Sequence, residues 1–125
     1  MIYKLYTDGA TSNNGYEGAY GGYGWAIIAN DKLMEEGSNY VNPATNNICE
    51  LKGIIEGCKK VSENLEGFDV VLVYSDSAYV INCYKQKWYK KWQTNGWFNS
   101  KKQSVANKEL WEELIPFFED LRFKF

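Results

Sequence analysis

At 125 residues the chain suits one domain with a sizeable core. Its 45% hydrophobic and 24% charged content is ordinary for a globular protein, and no apolar run is long enough for a membrane helix. With no His, catalytic triads and imidazole bases are excluded, and Cys49, Cys58 and Cys83 lack the CxxC spacing of a zinc or redox site.

The net charge of −2 conceals a segregation. Between Ser77 and Lys108 there are seven Lys and no Asp or Glu, so the rest of the chain carries all 16 acids. Such a flank attracts a polyanion although the whole molecule is mildly acidic.

Ile2 to Asp8 is rich in β-branched and aromatic residues and is predicted as a first strand, with Asp8-Gly9 as a turn. A polar, glycine-containing turn containing Asn14 follows. Trp25–Ala29 is predicted as a second strand, Asn30-Asp31 as a hairpin turn, and Leu33–Val41 as a third strand with Gly37 as a candidate bulge. Three strands on short turns form an antiparallel meander.

Thr45, Asn46 and Asn47 are N-cap candidates for a helix whose apolar stripe is Ile48, Leu51, Ile55, Cys58 and Val61. Gly53 and Gly57 on that helix point to close approach to a sheet, and Glu50 is placed in the first turn, where the helix dipole favours a carboxylate. Val70–Val73 reads as a strand covered on both faces. Strand, helix, strand in this order implies a parallel pair, with Asp8 and Asp76 together at its carboxyl edge.

Short helices are expected from Ser77 to about Lys91, with Ala78, Ile81 and Tyr84 inward. An irregular basic stretch containing Trp88, Trp92 and Trp97 follows; Trp97 is expected in the core. Asn107 is placed as the cap of a last helix, kinked or broken at Pro116, before a short strand near Leu121–Phe125. The fold class is therefore α/β: a mixed five-stranded sheet, three antiparallel strands plus parallel ones, flanked by helices in a single domain.

Asp8, Glu50 and Asp76 each have a plain reading alone: a turn former, a helix acid and a helix cap. Together they form three carboxylates converging on one point, which repel unless a cation lies between them.

Tyr6-Thr7-Asp8-Gly9-Ala10, Thr45-Asn46-Asn47 with Glu50-Leu51, and Ser75-Asp76-Ser77-Ala78-Tyr79-Val80 resemble, in order and spacing, the acidic motifs of type 1 ribonuclease H. Lys87-Trp88 through Trp92, Asn95-Gly96-Trp97 and Lys101-Lys102 resemble that family's basic handle, here about residues 85–105, and Val105–Trp111 resembles the helix start after it. The resemblance implies an endonuclease that cuts the RNA strand of RNA–DNA hybrids with two Mg²⁺ ions, Mn²⁺ being an alternative. Asp8 is implied to bridge both ions, with Glu50 and Asp76 each supporting one. It further implies phosphate contacts at Thr45 and Asn107, minor-groove contacts at Asn14, Asn46 and Asn47, a substrate contact at Ser77, and DNA-backbone contacts at Trp88, Lys90, Lys91 and Trp92. The family also carries a fourth carboxylate on a helix after the last strand, which Phe125 precedes; impaired catalysis is the corresponding expectation. The rival expectation is a non-catalytic hybrid-binding module of the same fold, while the Thr45-Asn46-Asn47 motif and the handle argue against an integrase-like core. A cytoplasmic monomer is expected.

Overall fold

A computed structural model describes residues 1–12, 20–42 and 44–125. The elements run β1 (Ile2–Ser12), β2 (Tyr20–Ala29), β3 (Lys32–Val41), α1 (Asn46–Ser62), β4 (Val70–Tyr74), α2 (Ala78–Gln86), α3 (Trp88–Asn95), α4 (Lys108–Glu119) and β5 (Phe123–Lys124). They form one five-stranded sheet in the order β3-β2-β1-β4-β5. The β1–β2 and β2–β3 pairs are antiparallel, and β1–β4 and β4–β5 are parallel. This is the mixed sheet that the residue pattern predicts.

The strands depart from the sequence reading in length. β1 does not turn at Asp8-Gly9: it runs to Ser12, because the glycine-rich start of β2 pairs with it from Asp8↔Gly24 to Ser12↔Tyr20. Those glycines therefore lie inside a strand. The Asn30-Asp31 hairpin turn is present, with both residues at positive φ (54° and 61°), as a mirror-type two-residue turn requires. The bulge falls at Met34 rather than Gly37. Ile27 pairs with Glu35 and Ile28 with Leu33, leaving Met34 unopposed, whereas Trp25↔Gly37 is in regular register.

Helix α1 lies across β1 and β2 and also meets α4. The glycines let it do so: a Cβ at Gly57 would stand 2.7 Å from Leu5 Cδ1 and 3.2 Å from Trp25 Cβ. Its buried face is wider than the predicted stripe and includes Cys49, Glu50 and Ile54. On β4 burial alternates: Val71 and Val73 are buried whereas Val70 and Leu72 are half-buried, so one face is fully covered and the other only in part. Tyr74 stacks on Tyr6 of β1 with ring centroids 4.9 Å apart.

Helices α2 and α3 are separated by Lys87 in the left-handed region. α4 continues through Pro116 to Glu119, so the expected break is absent. Pro116 can donate no hydrogen bond to the Glu112 carbonyl, and Glu112 is exposed, where water can take that place. Trp111 is fully buried and meets Tyr79, Trp92 and Phe118 edge-on or tilted. The three cysteines are free and buried, as core residues.

This aromatic cluster gives Trp92 a structural part that the sequence reading does not assign it. Trp92 is 6% exposed, lying 5.3 Å from the Trp111 ring and 6.0 Å from that of Trp97. It anchors α3 to the core, and only an edge of its ring reaches the surface, in a cleft shared with Trp88 and Lys91. Trp97 is half-buried against the same core. Trp92→Ala should therefore cost about 3–5 kcal/mol in urea denaturation. A Trp92→Ala protein as stable as the unsubstituted one would contradict this placement.

Candidate active site

The parallel register of β1 and β4 sets two of the three acids side by side. Tyr6 pairs with Tyr74 at the end of the ladder, and Asp8 and Asp76 each stand two residues further on. Asp8 lies within β1 and Asp76 in the link to α2, both exposed. Glu50 arrives from α1. The helix starts at Asn46, so Glu50 is its fifth residue; no acid occupies the first turn, and the dipole argument for it is corrected. One carboxylate oxygen from each of the three acids lies within 4.8 Å of the others.

Glu50 is 9% exposed, and both its oxygens have partners. The Gly9 amide donates to Oε1 at 3.0 Å, and the Ser75 hydroxyl donates to Oε2 at 3.3 Å. Gly9 is needed for this contact: a Cβ there would stand 2.6 Å from the Cys49 carbonyl carbon and 2.8 Å from the Glu50 nitrogen. Burial pushes the Glu50 carboxyl above its ordinary range; the Gly9 amide opposes this, and the Asp76 and Asp8 charges add to it. None of the ion pairs among the described residues joins a Lys or Arg to these acids.

Three converging carboxylates without a basic partner fit a hard divalent cation. The surroundings are open. Asp76 borders a cleft of about 610 Å³ with Tyr6, Tyr74 and Lys124, and Asp8 borders another of about 730 Å³ with Tyr20 and Tyr40. Open clefts suit a polymer better than a small enclosed ligand.

The other candidate residues fall at helix starts and along α3. Thr45 caps α1, its Oγ1 accepting from the Ile48 amide at 3.2 Å, and Asn46 and Asn47 are exposed on the same first turn. Ser77 caps α2 through a 3.3 Å bond from the Val80 amide. Asn107 precedes α4 with φ 62°, but its side chain makes no capping bond, which corrects that expectation. Lys90 and Lys91 are exposed on α3. Trp88 is half-buried, donating to Gln86 Oε1 at 3.2 Å. Asn14 lies outside the described residues. Gly9 and Ser75 are site residues that the sequence does not single out: the Asp8-Gly9 pair signals a turn, and a serine contact to an acid 25 positions away has no local signature.

The family model described as RNase H matches residues 2–125. The chain belongs to the ribonuclease H family. Ribonuclease H of Thermoanaerobacter sp. (strain X514) is 42% identical over 115 residues, covering 91% of this chain and 68% of the relative. Among solved structures, LC9-RNase H1, a type 1 RNase H with the type 2 active-site motif, superposes with a TM-score of 0.78 at 22% identity, covering 98% of this chain and 60% of that one. LC11-RNase H1, solved with an RNA/DNA hybrid, gives 0.61 at 18% identity, covering 98% and 83% respectively. At those identities the two structures establish the shared fold. A ribonuclease H is an endoribonuclease, so the family makes the chain an enzyme; no helix among its described residues is long and apolar enough to cross a membrane.

The elevated Glu50 carboxyl has a thermodynamic sign. The folded state holds that proton more tightly than the unfolded chain, so the contribution to stability is present at low pH and is lost as pH rises through the folded value. At neutral pH without divalent metal, Glu50→Gln should raise the melting temperature, and the gain should vanish on acidification below the ordinary carboxylate range. Melting curves from about pH 3 to 8 in EDTA check this; an equal effect at every pH would contradict it.

Proposed function

We propose that the protein hydrolyses the RNA strand of RNA–DNA hybrids, using Asp8, Glu50 and Asp76 to hold two Mg²⁺ ions, with Mn²⁺ as a substitute. The observation that carries this reading is the meeting of the three acids within 4.8 Å. The ions, when bound, supply activation of the attacking water and charge neutralisation at the departing oxygen. The chain's own part is to hold the donors. Glu50 is fixed by the Gly9 amide and the Ser75 hydroxyl, whereas Asp8 and Asp76 stay exposed toward substrate. No protein nucleophile enters, in keeping with a chain that lacks His.

Recognition follows from the same geometry. Asn46 and Asn47 stand on the helix that carries Glu50, one turn before it, and place short polar side chains close to the acids. Such groups suit the 2′-hydroxyls of a wide, shallow minor groove. Thr45, Ser77 and Asn107 are the further polar contacts of this reading, and Asn14 belongs to it by resemblance alone. Lys90 and Lys91 on α3 supply the salt-dependent attraction to the DNA backbone, joined by Trp88 and by the exposed edge of Trp92. The three free, buried cysteines fit a reducing compartment such as the cytoplasm.

A labelled hybrid incubated with Mg²⁺ or Mn²⁺ should be cut in its RNA strand, with a duplex-DNA control intact. Asp8→Asn should reduce cleavage by more than the roughly 10–100-fold that loss of an outer partner of a metal ligand costs. Tight hybrid binding without cleavage in either metal would leave the protein a binding module and defeat the catalytic reading. Lys90→Ala and Lys91→Ala should each weaken binding across sequences and lower the salt slope by about 1. Unchanged slopes would remove α3 from the interface.

A further inference from the structure

The turn between β4 and α2 contains a group that neither the family match nor the acid motifs assign. Ser75 has one proton to donate, and its surroundings fix where that proton points. The Ser77 amide donates to Ser75 Oγ at 3.1 Å, occupying one of the hydroxyl's two acceptor positions. The remaining O–H is directed to Glu50 Oε2 at 3.3 Å. The bond from Ser77 back to Ser75 spans two residues and closes a serine turn with Asp76 at its centre. Ser77 is held in turn by capping α2. One hydroxyl therefore touches the ligand arriving from α1 and also constrains the backbone that presents the ligand after β4.

We infer that Ser75 is a positioning residue that sets two of the three carboxylates, Glu50 by direct donation and Asp76 by closing the turn around it. The inference rests on the metal-site reading of the three acids. It follows from the division of labour at Glu50: the Gly9 amide fixes one oxygen from β1, and among the described residues Ser75 alone ties the other to the segment after β4 that carries Asp76. Without it, Glu50 keeps its β1 anchor and loses its link to β4. The spacing between the two acids is then free to drift, and a small ion such as Mg²⁺, with a near-ideal octahedral shell, tolerates such drift poorly. A serine that served only the turn would be replaceable by any residue that preserves the backbone.

The test compares the unsubstituted protein with Ser75→Ala, Ser75→Thr and Ser75→Val. The last two have the same shape and differ in the hydroxyl, so they decide the matter even if the alanine variant folds poorly. Calorimetric titration with Mn²⁺ alone, without nucleic acid, should show affinity reduced about 10–100-fold in Ser75→Ala and Ser75→Val and retained to within about 3-fold in Ser75→Thr. Hybrid affinity in EDTA should be unchanged in all three, and in cleavage assays kcat should fall in the alanine and valine variants with little change in KM. Equal Mn²⁺ affinity in the threonine and valine variants would overturn the inference while leaving the metal site standing. No Mn²⁺ uptake by the unsubstituted protein would overturn the metal-site reading, and this inference with it.

Discussion

Electrostatic repulsion among Asp8, Glu50 and Asp76 is the constraint around which the rest of this structure is arranged. Carboxylate oxygens held within 4.8 Å oppose one another, most strongly at Glu50, which is 9% exposed. The protein tempers this repulsion with neutral donors. Gly9 contributes an amide and Ser75 a hydroxyl, and no lysine or arginine is paired with the acids among the described residues. A basic side chain in that position would have satisfied the charge permanently. Neutral donors orient the carboxylates and leave their charge for a divalent cation.

The fold supplies the geometry at low cost. Two parallel strands in register bring Asp8 and Asp76 to one level, since both acids lie two residues beyond the Tyr6↔Tyr74 pair. Glu50 must then reach them from a helix, and it can do so only because α1 lies close against the sheet. Gly9, Gly53 and Gly57 make that approach possible, with Leu5 and Tyr23 packed where side chains would otherwise stand. The aromatic cluster of Trp92, Trp97 and Trp111 plays a different part and fastens the lysine-bearing α3 to the domain. The three acids and the lysine-bearing helix are thus built on separate parts of one core.

Much of this is readable from the residues, for a physical reason. Strands β1 to β4, helix α1 and the turn at Asn30-Asp31 carry local signals: β-branched runs, a helical stripe and a dipeptide suited to positive φ. The three acids are marked by their neighbours, Thr7 and Gly9, Asn46 and Asn47, Ser75 and Ser77. What escapes a reading of the chain depends on partners remote in sequence. β1 extends past Asp8 because glycines in β2 pair with it, and Met34 bulges because of the register opposite Ile27 and Ile28. Trp92 sits in a lysine-rich segment and reads as surface until Trp111 is seen beside it. Ser75 acts on Glu50, and that contact exists only after the crossover has been made.

The most direct test of the central claim is a crystal structure of the protein grown or soaked with Mn²⁺, with anomalous scattering measured at the manganese edge. A peak bounded by carboxylate oxygens of Asp8, Glu50 and Asp76, at the roughly 2.0–2.2 Å expected for a small hard cation, is the predicted result. Side chains of these three acids turned away from one another, with manganese bound elsewhere or not at all, would contradict the account.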